Sequence, residues 1–123
     1  MPAVRGSCHC GKTKFEITHR PAEMTSCTCS YCAKSGGLWA YYAPEDFKLL
    51  TPEADRGLYL WNSKMVEHYF CPSCGCTTYG VSPEWVDMKP DPEKKKVAVN
   101  ARLLDDVDIG VIPVTVIDGK NLW

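Results

Sequence analysis

The sequence predicts a mainly-β domain of short strands pinned by metal. Three observations carry this. Apolar segments are short and alternate with polar residues, the period-two pattern of half-buried strands. No window sustains helical periodicity. Eight cysteines fall into three tight clusters.

The elements follow in order. Lys12 to Thr18 alternates, with Thr13, Phe15 and Ile17 on one face of a strand. Leu38-Trp39-Ala40-Tyr41-Tyr42 is an aromatic strand. Pro44-Glu45-Asp46 is a short turn before Phe47-Lys48-Leu49-Leu50. Leu58 to Trp61 is a further strand, and Asn62-Ser63-Lys64 a turn. Val66 to Phe70 and Thr77 to Val81 flank the third cysteine cluster, which makes a zinc-ribbon-like hairpin. Asp91 to Lys96 reads as a solvated loop, and Val97 to Ala101 as a late strand. Asp105 to Asp108 is expected to form a turn of helix at most.

Composition narrows the function. A chain of 123 residues suits one compact domain, 1–123, with a modest core. Fourteen basic against fifteen acidic side chains give a net charge of −1, which disfavours nucleic acid as a partner. No run approaches the ~18 apolar residues of a membrane span, so no membrane partner is expected. The opening Met1-Pro2-Ala3-Val4-Arg5-Gly6 lacks the basic and apolar regions of a secretion signal. The expectation is therefore a cytoplasmic protein with reduced thiols, which favours metal over a disulfide framework.

The clusters are Cys8-His9-Cys10, Cys27-Thr28-Cys29-Ser30-Tyr31-Cys32 and Cys71-Pro72-Ser73-Cys74-Gly75-Cys76. Sulfurs this close in sequence converge on one ion when the backbone turns tightly, and they are badly placed to bond each other. Pro72 fixes one φ angle, and Gly75 is free to take the left-handed conformation that a metal knuckle needs. Zinc with thiolate ligands prefers tetrahedral four-coordination.

Gly6-Ser7-Cys8-His9-Cys10-Gly11 before a strand, then Cys27-x-Cys29-x-x-Cys32, then Phe70-Cys71-x-x-Cys74-Gly75, resembles the glutathione-dependent formaldehyde-activating enzyme family, also called the CENP-V/GFA domain. The stretch from Val99 to Asp108 is similar to the family's C-terminal part, so the resemblance runs from about Arg5 to Asp108. It implies a β-tent of small antiparallel sheets with two zinc ions. It further implies a closed structural site of Cys8, Cys10, Cys71 and Cys74. Cys27, Cys29 and Cys32 would hold a second, catalytic zinc with one position left for water or substrate. The implied activity is that of a carbon–sulfur lyase of the S-(hydroxymethyl)glutathione synthase type, whose partner is a small-molecule thiol, glutathione in the family. The alternative is a non-catalytic, zinc-stabilised interaction module.

Cys76 departs from the family, which more often has Ser or Thr after the glycine. In one reading it is a bystander in the knuckle. In the other it closes the second zinc site and makes it structural. His9 points away from its cysteine neighbours if the strand is extended. His68 reads as a cross-strand residue and His19 as loop. Lys34 is a candidate partner for a glutathione carboxylate, and Gly36 lets a backbone amide approach it. The competing reading of Lys34 is a solvated lysine on an ordinary turn. Trp39, Tyr41 and Tyr42 are either core or a pocket wall, and Trp123 has no assigned role.

Overall fold

The computed structural model describes residues 3–61, 65–86 and 89–122. The expected turn at Asn62–Lys64 and Trp123 lie outside them.

The fold is mainly β and consists of two sheets. Strands β1 (Val4–Ser7), β2 (Lys14–Ile17) and β5 (Phe47–Leu49) make a three-stranded antiparallel sheet in the order β1-β2-β5. The larger sheet holds β3 (Met24–Cys27), β4 (Trp39–Tyr42), β6 (Gly57–Tyr59), β7 (Glu67–Phe70), β8 (Thr77–Val86), β9 (Lys89–Asn100) and β10 (Val114–Ile117). Its order is β10-β3-β4-β9-β8-β7-β6, and every pair is antiparallel except β10 with β3. A helix α1 (Ser30–Ser35) follows β3, and a short α2 (Gly119–Leu122) follows β10. Among the described residues no helix is long and apolar enough to cross a membrane.

Cross-strand register divides the large sheet into two faces, because successive side chains point to opposite sides. Ala40, Val99, Tyr79 and Tyr69 stand opposite one another on one face. That face is the core: Val99 is 0% exposed, and Phe15 and Ile17 from the small sheet cover it at 0% and 1%. The Phe47 ring, 4.7 Å from Tyr79, ties the two sheets together. Each large side chain buried in this way contributes about 2 kcal/mol. A Cβ on Gly6 would come within 2.3 Å of the Phe15 ring, so β1 can lie over that ring only as glycine. The opposite face carries Thr25, Trp39, Asn100, Tyr41, Ala98, Gly80, His68 and Tyr59 in register. Cys27, two residues after Thr25, shares that face.

One expectation is corrected. Asp91–Lys96 is not a loop but part of β9. Asp91, Lys95 and Lys96 pair with β8, while Glu93, Lys94 and Lys95 keep their side chains in water. The pairing shifts between Pro83 and Glu84, leaving residues 92–94 as the surplus. The late strand ends at Asn100, and Ala101–Leu103 forms a 3-10 turn. Strands β3 and β10 and helix α1 were not anticipated.

Candidate metal centres

All eight cysteines are free thiols. The structure gathers seven into two groups, Cys8/Cys10/Cys71/Cys74 and Cys27/Cys29/Cys32, with the sulfurs of each group within 4.8 Å of one another.

The first group joins two turns built alike. The Cys8 amide donates to the Thr13 carbonyl at 3.0 Å, and the Cys71 amide donates to the Cys76 carbonyl at 2.9 Å. Gly11 and Gly75 follow the second cysteine of each turn with φ of 83° and 82°, a conformation that favours glycine. Lys12 Nζ donates to Ser73 Oγ at 3.1 Å and links the turns. The sulfurs of Cys8 and Cys10 are 3.7 Å apart, and those of Cys10 and Cys71 3.6 Å. A tetrahedron with ~2.3 Å zinc–sulfur bonds has edges of about 3.8 Å. The Thr13 amide donates to Cys8 Sγ at 3.3 Å. The Cys76 and Cys10 amides hold the Cys74 thiol down to about 5. At Cys10 the Lys12 amide favours the thiolate, but burial and the neighbouring thiols prevail and push it up to about 11. Sulfurs packed this closely cannot all ionise unless a cation sits among them, which is the environment a divalent metal supplies.

Cys76 belongs to neither group. Its sulfur receives the His9 amide and neighbours Cys74 and Cys8, so it stands beside the first group.

The second group is local in sequence. Cys27 ends β3, Cys29 caps α1, and Cys32 lies in its first turn. The Cys32 amide donates to Cys29 Sγ at 3.4 Å, and the Cys29 amide to Cys27 Sγ at 3.5 Å. Burial raises the Cys27 and Cys32 thiols, whereas at Cys29 the amides of Cys32 and Tyr31 outweigh burial and lower it. Among the described residues no fourth Cys, His, Asp or Glu joins them.

The end of the chain braces this loop. The Thr28 amide donates to the Ile117 carbonyl at 2.9 Å, Thr28 Oγ1 donates to Asp118 Oδ1 at 2.7 Å, and the Gly119 amide reaches Cys27. Hydrogen bonds from Thr28 and Asn121 hold the Asp118 carboxyl below its ordinary range. At the other end of α1 the Gly36 amide donates to the Cys32 carbonyl at 3.1 Å, and Arg102 Nε donates to the Gly36 carbonyl at 2.9 Å. The Gly36 amide is thus used in capping the helix. Sequence reasoning missed Thr28, Asp118 and Gly119, because nothing local in residues 114–119 marks them as partners of a loop ninety residues earlier.

A cleft of about 430 Å³ is lined by Ser30, Tyr31, Lys34, Ser35 and Tyr59. At about 100° per residue these α1 positions face away from Cys29 and Cys32, so the cleft lies behind the sulfurs. Its wall is aromatic: the Tyr31 ring lies 4.0 Å from His68, 5.9 Å from Tyr59 and 6.4 Å from Trp61. Trp61 Nε1 donates to His68 Nε2 at 3.1 Å, which leaves the imidazole proton on Nδ1. On the sulfur side stands Tyr41, whose hydroxyl is pushed up to about 12 by burial and by the charge of Cys32 and Cys27, and so stays protonated.

The family model for the glutathione-dependent formaldehyde-activating enzyme matches residues 3–116. A crystal structure of a Rhodobacter sphaeroides protein superposes with a TM-score of 0.70 at 26% identity, covering 90% of this chain and 99% of that one. No curated protein matches the sequence. With that model matched over nearly the whole chain, beside a mainly-β fold and two sulfur groups that could hold metal, the chain belongs to the glutathione-dependent formaldehyde-activating enzyme family.

Proposed function

We propose that the protein is a zinc-dependent carbon–sulfur lyase of the S-(hydroxymethyl)glutathione synthase type, acting on glutathione and formaldehyde or on a related small thiol adduct. The observation that carries this is the unequal ligand count: four sulfurs in one group and three in the other. Soft thiolate donors suit zinc at both. Cys8, Cys10, Cys71 and Cys74 would hold a structural ion, and Cys27, Cys29 and Cys32 a catalytic one. At the second site zinc would supply a Lewis-acidic position that holds an incoming thiol as thiolate.

The chain's own residues do the rest. The amides of Cys29 and Gly119 orient the Cys27 sulfur, and those of Cys32 and Tyr31 the Cys29 sulfur. Addition of a thiol to formaldehyde moves one proton off sulfur and places one on oxygen. Tyr41, protonated at neutral pH and on the same sheet face as Cys27, is a hydroxyl that can hold that oxygen. Lys34, in the cleft behind α1, is the expected partner for a carboxylate of the thiol, and Gly36 shapes the turn beside it. Thiolate ligands call for a reducing compartment, the cytoplasm. The alternative, a non-catalytic zinc module, requires a fourth protein ligand at the second site, and Cys76 lies beside the first.

Calorimetric titration of glutathione into the zinc-loaded protein tests this. Saturable binding that Cys29→Ser abolishes is expected. No binding at millimolar glutathione would contradict the reading.

A further inference from the structure

Among the described residues one buried side-chain nitrogen lacks a hydrogen-bond partner: Nε1 of Trp39. Trp39 is 5% exposed, so bulk water does not reach it. An unmade bond of this kind is costly and calls for an explanation. The ring is held in place. It sits in the middle of the sheet between Thr25 and Asn100, and it packs so closely on Gly37 that a Cβ there would lie 2.4 Å from it. The Cys32 sulfur is a neighbour of this indole, and no full hydrogen bond joins the two.

The other two sulfurs of the group are already served. Cys27 receives the amides of Cys29 and Gly119, and Cys29 those of Cys32 and Tyr31. A neutral thiol is a weak acceptor, whereas a thiolate forms a strong, charge-assisted bond. The orphan donor and the under-served sulfur therefore answer each other, but only when Cys32 is ionised.

We propose that Trp39 is a positioning residue of the three-cysteine site, its indole N–H donating to Cys32 Sγ once that sulfur is a metal-bound thiolate. The inference rests on the metal reading of the site given above. It means that metal loading satisfies a donor which the metal-free protein leaves unpaired, so the fold itself favours the loaded state. The same bond draws charge from the Cys32 sulfur and leaves the metal more acidic toward an incoming thiol.

Trp39→Phe keeps an aromatic ring and removes the donor. Cadmium-loaded protein should give separate NMR signals for the four-sulfur and three-sulfur sites. The variant should move only the three-sulfur signal and weaken that site about tenfold in chelator competition, with the other site unchanged. In wild type the Trp39 indole proton should shift downfield when metal is added. A variant whose second signal and affinity match wild type would overturn the inference and leave the metal reading intact. If the variant fails to fold, the wild-type indole proton decides: a downfield shift supports the bond, and an unmoved resonance rejects it. A wild-type protein that takes no metal at Cys27, Cys29 and Cys32 overturns the metal reading and this inference together.

Discussion

The two sulfur groups differ in what they connect. The first joins residues 8 and 10 to residues 71 and 74, and so clips the small sheet's leading strand to the β7–β8 hairpin. The second spans only residues 27 to 32 and is supported from outside, by β10, Asp118 and Gly119 on one side and Arg102 on the other. A cross-link over a long loop restricts the unfolded chain strongly, while one over six residues restricts it little. This difference supports the proposal that the four-sulfur group holds the fold and the three-sulfur group binds a ligand.

The largest predicted effect breaks the first group. Cys71→Ser should cost over about 4 kcal/mol, or prevent folding, because it removes a buried sulfur from the group proposed to hold the structural metal. Thermal unfolding of metal-loaded protein measures it, and chelation should have the same consequence. Cys29→Ser, by contrast, should keep most of the melting temperature while losing thiol binding. Equal destabilisation by the two serines would erase the distinction between the groups.

A finer comparison places the same strain at each group. Gly75 and Gly36 both have positive φ, 82° and 71°, and both have open space where a Cβ would go. Alanine at either should cost about 1–2 kcal/mol. Gly75→Ala should weaken only the first metal and Gly36→Ala only the second, read by chelator competition.

The smallest effect concerns the aromatic wall behind α1. Burial lowers the His68 pKa below its ordinary 6.5. Below that value the unfolded chain binds a proton that the folded protein resists, so His68 should make stability fall as pH drops below 6.5. His68→Phe should flatten this part of the melting-temperature profile relative to wild type. Identical profiles would show that His68 does not feel its surroundings in this way.

Much of this was legible in the chain. The alternation of Thr13, Phe15 and Ile17 marked one buried face, and all three are at most 2% exposed. The cysteine spacings marked three clusters, the family resemblance joined the first to the third, and Gly75 takes the left-handed turn that its place in the knuckle demands. Other features are not local properties. The β3–β10 pair is parallel and joins segments ninety residues apart, with nothing in Val114–Ile117 to name its partner. Helix α1 has six residues, too few to show a period. In Asp91–Lys96 charge signals a solvated loop, yet pairing with β8 makes it strand. Cys76 was ambiguous because sequence distance does not tell which group a knuckle thiol faces.

The most direct test is X-ray absorption of the zinc-loaded protein before and after glutathione is added. One site with four sulfurs and one with three sulfurs and a lighter atom, the latter gaining a fourth sulfur when the thiol arrives, is the predicted result. Two sites already coordinated by four sulfurs, unchanged by glutathione, would contradict it.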